Sequence, residues 1–503
     1  MFLPLYPGKA PRILIMANYV QRTINRWFNR LLGAAAGGNF SGQEERHAAN
    51  RTTRDYVWNT IGLGFWGLMF PLLTIVITQL VGVEQAGMFS MAFVIGLLLT
   101  FLANYGVRTF QISDIEEVHS FSDYQIHRLA TCVIMIVAGF LYCTFRGYSP
   151  EMFTVSMGVY AYRMIDGLAD VYEGRLQQMN KLYLAGISQG IRSFLVLVVF
   201  SLCLLVTRDL GISCIAMAVA AVVSLLLLTL PLALFETPKS QGFSLQSVGE
   251  LFKHCFPLFI ALFLFNLIDS MPKFVMEGML GYDNQLYFNA LYFPAQAILI
   301  ITQFVYKPQL LRCANLWADP AKRKRFDLMI LVITAAIVIL TLVMVLVMGW
   351  FGLSLMGFLY GIDFEQFRNL CFLMLFAGGV AAGIDFLYQM ITVLRQQKSV
   401  MLPYLITLVF AVVTPLILIN LAGLQGIVIR YLIIMGILFV LLVVQYFRIR
   451  LKLADEVAAD YSSSNHYSRR SELKAERSRR SRRQQRIDGR TGNRDAGGDR
   501  HRK

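Results

Sequence analysis

The chain has 503 residues, of which 56% are hydrophobic and only 15% are charged, and its formal net charge is +15 at pH 7. So few charges could not cover the surface of a soluble protein of this length, so the composition predicts a membrane protein and excludes a soluble globular one. Residues 448–503 hold 17 Lys and Arg against 8 Asp and Glu, so about nine of the excess positive charges lie in this tail. The high basicity is therefore local, and we expect no nucleic-acid partner.

Twelve apolar runs are long enough to cross a bilayer as helices, so we predict an all-α polytopic membrane protein with about 12 transmembrane helices. The run at 129–145 is short for a span. The apolar segment 351–360 is too brief to cross and is expected to lie as a helix at the outer surface. The twelve runs lie at about 56–80, 86–109, 129–145, 150–172, 184–206, 211–235, 254–277, 284–306, 326–349, 369–392, 402–420 and 425–447.

The loops between these runs alternate in charge. Every second loop is rich in Lys and Arg, as at Arg108 and Arg128, at Arg175 and Lys181, and at 322–325, whereas the intervening loops hold at most one such residue. By the positive-inside rule the basic loops and both termini lie in the cytoplasm, and the protein lies in the cytoplasmic membrane. The predicted domains are an N-terminal extension, a first six-helix bundle, a cytoplasmic linker, a second six-helix bundle and a basic disordered tail, at 1–54, 55–235, 236–253, 254–447 and 448–503.

The two terminal segments lie outside the apolar runs. Residues 11–32 look like a basic amphipathic helix, because Arg22, Arg26 and Arg30 recur every four residues beside an apolar stripe. Such a helix would lie in the cytoplasmic headgroup region, and the alternative is a weakly ordered extension that follows from a start codon placed too early. The tail 448–503 is rich in Ser, Arg, Gln and Gly and is disordered by composition.

The membrane part of the sequence contains an internal duplication. Ile165-Asp166 is followed by Gln177-Gln178 at a spacing that recurs between Ile384-Asp385 and Gln396-Gln397. Transporters built from two related bundles show such duplication, with the substrate path between the bundles. We therefore predict two pseudo-repeated six-helix bundles around a central cavity. A second set of positions matches at a constant offset, namely Gly82, Glu84, Phe89, Phe93 and Arg108 with Gly281, Asp283, Phe288, Tyr292 and Lys307.

Charged residues inside the predicted spans are candidates for function because they are costly in a bilayer. In the fourth span, Arg163 and Asp166 share a helical face and can pair, and Asp170 lies on the same face as Asp166. Asp385 in the tenth span is the counterpart of Asp166. These residues would form a cavity wall that offers cations to an anionic substrate and carboxylates for proton or sodium coupling. The alternative is an ion-paired interior that fixes helix packing.

Two further sets of charges fall at other depths. Asp269, Lys273 and Glu277 follow one another at four-residue steps, which predicts a charged ridge on one face of the seventh span toward the outer side. Arg108 and Lys307 lie at matching cytoplasmic ends of the second and eighth spans, where they either snorkel to the surface or face the cleft. Two cations at the inner mouth of a cleft would suit a phosphate or pyrophosphate group.

Cysteine and histidine give no sign of a metal or redox centre. The seven cysteines are scattered, mostly in apolar runs, and the six histidines are equally dispersed. Neither shows the spacing typical of a metal site or of a disulfide framework. We therefore expect no bound metal and no redox cofactor.

Four segments of the membrane part carry a resemblance to known transporters, namely WNTIGLG at 58–64, GVEQAG at 82–87, PLFI at 257–260 and LYFPAQ at 291–296. Together with twelve spans in two sixes and a short cytoplasmic linker, they resemble the polysaccharide-transporter branch of the multidrug/oligosaccharidyl-lipid/polysaccharide exporter superfamily, to which Wzx-type flippases belong. The resemblance covers about residues 50–450, without the N-terminal extension and the tail.

The resemblance implies a flippase that moves an undecaprenyl-diphosphate-linked oligosaccharide across the membrane by alternating access and makes or breaks no glycosyl bond. Its partners would be the lipid-linked glycan, the bilayer, and the glycan polymerase and glycosyltransferases that handle the same carrier. The substrate-binding candidates, nominated by position, are Arg108, Arg163, Lys273 and Lys307. The candidate coupling or cavity carboxylates are Asp166, Asp170, Asp269 and Asp385.

Two other functions stay open. A drug or metabolite exporter of the same fold would use a smaller cavity and coupling carboxylates such as Asp166 or Asp269. A membrane glycosyltransferase or polymerase would need a sizeable outer loop with carboxylates, whereas the longest predicted outer loop, 350–368, offers only Asp363 and Glu365. We therefore expect a transporter rather than an enzyme.

Overall fold

A computed structural model describes residues 51–451 apart from 115–116, 241, 278, 319–321, 395 and 415–422. Within these residues the chain is helical, and the only strand-like feature there is an isolated bridge between Glu277 and Leu280. The all-α prediction is therefore confirmed. The amphipathic helix expected at 11–32 and the tail from residue 452 onward lie outside the described residues.

Fourteen helices are described, and ten of them are long and apolar enough to cross a membrane. The helices are α1 Arg51–Val81, α2 Val83–Asn104, α3 Val107–Ser113, α4 Phe121–Arg146, α5 Pro150–Gln178, α6 Leu182–Thr207, α7 Leu210–Glu236, α8 Leu245–Met276, α9 Tyr282–Tyr306, α10 Leu310–Ala318, α11 Arg323–Tyr360, α12 Arg368–Val393, α13 Met401–Val413 and α14 Gly423–Leu451.

Each of the twelve predicted spans corresponds to one of these helices. Two of the twelve fall outside the ten apolar spans, for different reasons. Helix α5 has 29 residues but carries several charges, and α13 has 13 residues and borders part of the chain that is not described. The chain is therefore a multi-pass membrane protein.

Several element boundaries differ from the sequence expectation, and α8 for example begins at Leu245, inside the predicted linker 236–253. Helix α4 has 26 residues and begins eight residues before the apolar run, because Ser120 and Asp123 form a capping box and His127 and Arg128 are buried. The prediction of a separate surface helix at 351–360 is wrong. Helix α11 continues through a π-helical turn at Met348–Gly352 and ends only at Gly361, which has the left-handed φ of 69°.

Close helix pairs in each half depend on small residues. Helix α1 packs along α6, and a Cβ added to Gly62 would lie 2.3 Å from the carbonyl oxygen of Gly186. In the second half α9 packs along α12, and a Cβ on Gly378 would lie 2.7 Å from the carbonyl oxygen of Ala295. Small residues let membrane helices approach closely, so packing of this kind replaces the hydrophobic drive that water would supply.

The two halves, α1–α7 and α8–α14, also contact each other. We call the end that carries the linker 237–244 the linker side, and the opposite end the distal side; the linker side is the predicted cytoplasmic side. On the distal side the hydroxyls of Thr74 and Tyr360 lie 3.2 Å apart, and Gln79 donates to the Leu359 carbonyl. On the linker side Tyr105 stacks on Phe259 with ring centroids 4.4 Å apart.

Apart from α6, on which it packs, the linker-side part of α1 has little protein around it. Tyr56, Val57 and Trp58 are all exposed, and so are Leu63 and Phe65. Consecutive residues of a helix point in directions about 100° apart, so this segment is uncovered on more than its lipid-facing side. Near the linker-side end of α9, large apolar side chains are likewise exposed, namely Ile300, Ile301, Phe304 and Val305.

We predict that Gly62→Val weakens the packing of α1 on α6. The added methyl groups would collide with the backbone at Gly186, which cannot move aside as a side chain would. Overpacking of this kind costs about 1–3 kcal/mol in the free energy of unfolding. Gly64→Val is the matched control, because no atom lies within 4 Å of a Cβ at Gly64. Thermal unfolding in detergent micelles should separate the two variants, and equal stabilities would contradict this account of the helix pair.

Candidate functional site

Asp166 in α5 lies at the centre of a buried ion-pair network. Its Oδ2 accepts hydrogen bonds from Trp66 Nε1 at 3.1 Å and from Arg163 Nη1 at 3.2 Å. Its Oδ1 accepts from Arg192 Nε at 2.9 Å. Asp166 is 7% exposed, and both arginines are 1% exposed. One carboxylate thus joins α5 to α1 and to α6.

The network continues from Arg192 along α5. Arg192 Nη1 donates to Glu173 Oε1 at 2.7 Å, and this oxygen also lies 3.4 Å from Ser188 Oγ. The Arg163 guanidinium lies over the Phe93 ring, 4.2 Å from its centroid. A guanidinium removed from water is stabilised both by carboxylates and by aromatic faces. These contacts satisfy much of the charge that the sequence places inside the fourth span.

Asp170 forms the linker-side part of the same network. Its two oxygens accept from Arg108 Nη1 at 2.6 Å and from Arg128 Nη2 at 2.7 Å. Arg108 also donates to Gln177 at 3.0 Å, and its side chain is 30% exposed. Burial alone would lower the pKa of the Arg108 guanidinium, but the carboxylates of Asp170 and Glu173 outweigh it, so its pKa is raised and it stays charged.

Positive charge exceeds negative charge in this network. Four guanidinium groups face three carboxylates, so one positive charge is left over among the described side chains. The Nε atoms of Arg128 and Arg163 are buried and have no hydrogen-bond partner within the described part of the chain. An uncompensated charge inside a membrane bundle is costly, so this excess positive charge is a notable feature of the first half.

A second cluster surrounds Asp269 in the other half. Its two oxygens accept from the hydroxyls of Tyr292 and Tyr431, each at 2.7 Å. Lys273 Nζ lies 3.7 Å from Asp269 and 4.1 Å from the centroid of the Tyr292 ring. The predicted ridge does not extend to Glu277. Helix α8 ends at Met276, and the extended backbone at Glu277 turns its side chain toward the first half.

Asp385 in α12 has neutral partners. It accepts hydrogen bonds from Tyr306 and, at 3.1 Å, from Gln303 Nε2. Lys307 is exposed and donates to Gln303 Oε1 at 2.8 Å rather than to a carboxylate. Within the residues that the structure describes, Asp385 is paired with no cation. It thus differs from the ion-paired carboxylates of α5.

The eight nominated residues fall into three groups rather than one site. Arg108, Arg163, Asp166 and Asp170 share the first network, Asp269 lies with Lys273, and Asp385 connects to Lys307 through Gln303. The nomination missed Arg128, Arg192, Glu173 and Trp66. The signal for the two arginines was their position in or beside apolar runs, but their partners lie 19 to 42 residues away in sequence. Sequence spacing does not show such contacts.

The duplicated aspartates occupy corresponding helices but have different contacts. Asp166 contacts α1 and α6, whereas Asp385 contacts α9 alone among the described helices. Arg108 pairs with a carboxylate, and its counterpart Lys307 contacts an amide. The two halves therefore share an architecture and differ in their polar chemistry.

Three solved transporter structures are similar to this chain. The bent form of the Vibrio cholerae MATE transporter VcmN has a TM-score of 0.53 at 14% identity, covering 80% of this chain and 97% of that one. A transporter of the MOP superfamily from Pyrococcus furiosus has a TM-score of 0.51 at 16% identity over 80% of this chain and 95% of that one. An inward-facing MATE transporter of the MOP superfamily has a TM-score of 0.50 at 14% identity over 77% and 95%.

The sequence itself matches no family model, and no curated protein matches it significantly. At 14–16% identity the structural likeness establishes the fold alone. The chain therefore has the fold of MOP-superfamily transporters, as the resemblance implied. Its membership of the polysaccharide branch stays a prediction.

We predict that Asp166→Asn strongly destabilises the first half. The change leaves Arg163 and Arg192 buried with less compensating charge, and breaking a buried ion pair costs about 3–5 kcal/mol. Asp327→Asn is the control, because Asp327 is half-exposed and pairs with Arg450, and such surface pairs contribute at most about 1 kcal/mol. The free energy of unfolding in micelles measures both. Similar small losses in the two variants would rule out a structural role for the network.

Proposed function

We propose that this protein is a cation-coupled exporter of a drug or metabolite, working by alternating access between its two halves. Two of the solved structures that it resembles are described as multidrug resistance transporters, which supports this function better than a glycan flippase. The observation that carries the coupling is Asp385, a carboxylate within a membrane helix whose described partners are a hydroxyl and an amide.

A coupling carboxylate must gain and lose a cation at low cost. Asp166, Asp170 and Glu173 are held by guanidinium groups, so protonating any of them would leave buried arginines uncompensated. Asp385 can exchange a proton or a sodium ion without breaking an ion pair, because Tyr306 and Gln303 are neutral. Asp385 therefore suits coupling better than the carboxylates of the first half.

Cation binding at Asp385 would also act on the position of α9, because the hydrogen-bond partners of this carboxylate belong to that helix. Tyr306 and Gln303 both lie at the linker-side end of α9, one turn apart. A cation on Asp385 would weaken their hydrogen bonds to its oxygens, because a neutral carboxyl accepts less strongly than a carboxylate. The exposed end of α9 would then be freer to move against α12.

We predict that Asp385→Asn abolishes cation-driven efflux while the protein remains folded. The assay is efflux of a panel of lipophilic dyes from proteoliposomes that carry an imposed proton or sodium gradient. Tyr306→Phe keeps the carboxylate and should lower the efflux rate by about tenfold or less, since it removes one hydrogen bond to a charged group. Asp363→Asn, an exposed aspartate at the distal side, is the control and should transport normally.

Two results would contradict this function. Gradient-driven efflux by Asp385→Asn at the wild-type rate would exclude Asp385 as the coupling group. If the wild-type protein moves no dye under either gradient, the drug-exporter function itself is wrong.

A second candidate is the flippase for an undecaprenyl-diphosphate-linked glycan, and the excess guanidinium charge of the first half favours it. Arg108 is the partly exposed member of that network, and the buried Nε atoms of Arg128 and Arg163 lack described partners. A diphosphate would supply the missing negative charge. The uncovered segment of α1 would let a lipid tail stay in the bilayer. The glycan polymerase and glycosyltransferases would then be its functional partners.

We predict, for this second candidate, that undecaprenyl diphosphate raises the melting temperature of the purified protein and that Arg108→Gln removes this effect. Inorganic pyrophosphate, offered separately, shows whether the diphosphate alone suffices. Lys239→Gln, which changes an exposed lysine of the linker, should respond as wild type does. Absence of any shift with the lipid diphosphate in the wild-type protein would eliminate the flippase.

A further inference from the structure

Glu277 lies at the distal end of α8, where the two halves meet. The Glu277 side chain belongs to the second half and is only 3% exposed. The groups around it come from the first half, from the end of α4 and the turn that follows it. This position is distant from the Asp385 cluster, which lies at the linker-side ends of α9 and α12.

Three side chains of the first half hold this one carboxylate. Tyr142 donates its hydroxyl to Oε2 at 2.6 Å, and Tyr148 donates to Oε1. Arg146 Nη2 lies 3.0 Å from Oε2 and also donates to the Glu277 carbonyl at 2.9 Å. Charge-assisted hydrogen bonds are stronger than neutral ones, so this contact is stronger per bond than the neutral pairs at Thr74 and Gln79.

The Glu277 contact is of a different kind from the other contacts between the halves. In the described ranges it is the one ion pair that joins α1–α7 to α8–α14, since the remaining ion pairs lie within a single half. Its donors lie within seven residues of chain, Tyr142 to Tyr148, so they move together with the end of α4. Separation of the halves at the distal side would therefore break all of these bonds in one step.

We propose that the Glu277 carboxylate forms a breakable contact, which we call the lock, that holds the distal side closed. Its partners in this contact are Tyr142, Arg146 and Tyr148 of the first half. The proposal rests on the alternating-access part of the proposed function but on neither the substrate nor the coupling ion. Without the lock, the equilibrium shifts toward a state that is open at the distal side. Glu277 is in this sense a positioning residue, since it sets which side of the transporter is open.

The test is hydrogen–deuterium exchange of the full-length protein in lipid nanodiscs, without substrate. Two peptides report on the lock, one covering 142–150 and one covering 274–284. The amides of Met279 and Leu280 donate to the Met276 carbonyl in the closed state and are protected there. In Glu277→Gln both peptides should exchange roughly tenfold faster than in wild type, because the substitution removes the charge that strengthens the bonds.

Two further variants make the test decisive. Asp363→Asn changes an exposed carboxylate at the same side, outside both peptides, and should leave them unchanged. Tyr142→Phe removes one donor from the opposite half and should accelerate the same two peptides. The combination Glu277→Gln with Tyr142→Phe should add less than the sum of the single changes, because both act on one contact.

The readout separates a lock from a general support of the fold. Loss of folding would also accelerate peptides from the linker-side part of α5, at 166–178, which is distant from the lock, whereas opening would leave them protected. If Glu277→Gln accelerates exchange in every peptide, the exchange rates of Tyr142→Phe decide between a lock and a general support of the fold. Unchanged exchange at 142–150 and 274–284 in either variant would overturn the proposal. A failure of dye efflux or of diphosphate binding would leave it standing, since neither is used here.

Discussion

The first half of this protein depends on one constraint, the high cost of an unpaired charge away from water. Helix α5 carries the carboxylates Asp166, Asp170 and Glu173, and each is matched by guanidinium groups from other elements of that half. Through these contacts α5 is tied to α3, α4 and α6, and Trp66 of α1 also donates to Asp166. Such bonds restrict both the rotation and the depth of a helix, in addition to the close packing of small residues. The helices of the first half are therefore joined by ion pairs as well as by packing.

The second half holds its buried carboxylates by different contacts. Its membrane carboxylates, Asp269 and Asp385, are bound chiefly by tyrosine hydroxyls and an amide, and only Lys273 brings a cation near one of them. Neutral donors stabilise a carboxylate less than a guanidinium does. The duplicated architecture thus holds one strongly ion-paired half and one half whose membrane carboxylates have mainly neutral partners. This difference fits the proposed alternating access, in which one half moves relative to the other.

The helices could be predicted because a bilayer demands about twenty apolar residues per span, and twelve runs meet that demand. The misplaced boundaries have local causes. Helix α4 begins in polar sequence because Arg128 is buried against other helices. Helix α11 continues past residue 350 because its backbone forms a π turn at Met348–Gly352 and stays helical. Charged positions could be nominated from their cost in lipid, but their pairing could not, since Asp170 is 62 residues from Arg108. The ridge prediction at Glu277 was wrong for a similar reason, because helical spacing has no meaning beyond the helix end.

Helix α8 connects the Asp269 cluster with the contact that Glu277 makes to the first half. Asp269 lies in the body of this helix and is bonded to Tyr292 of α9 and Tyr431 of α14, while Glu277 follows its distal end. The two residues are eight positions apart, which corresponds to about 12 Å along a helix. The Lys273 carbonyl between them accepts from Gln285, so the end of α8 is also tied to the start of α9. Because α9 also carries Tyr306, the proposed movement of α9 on cation binding at Asp385 would reach the end of α8 that contacts the first half, through the bond between α9 and α8. The proposed coupling group on the linker side and the proposed lock on the distal side would therefore act on the same equilibrium without touching each other.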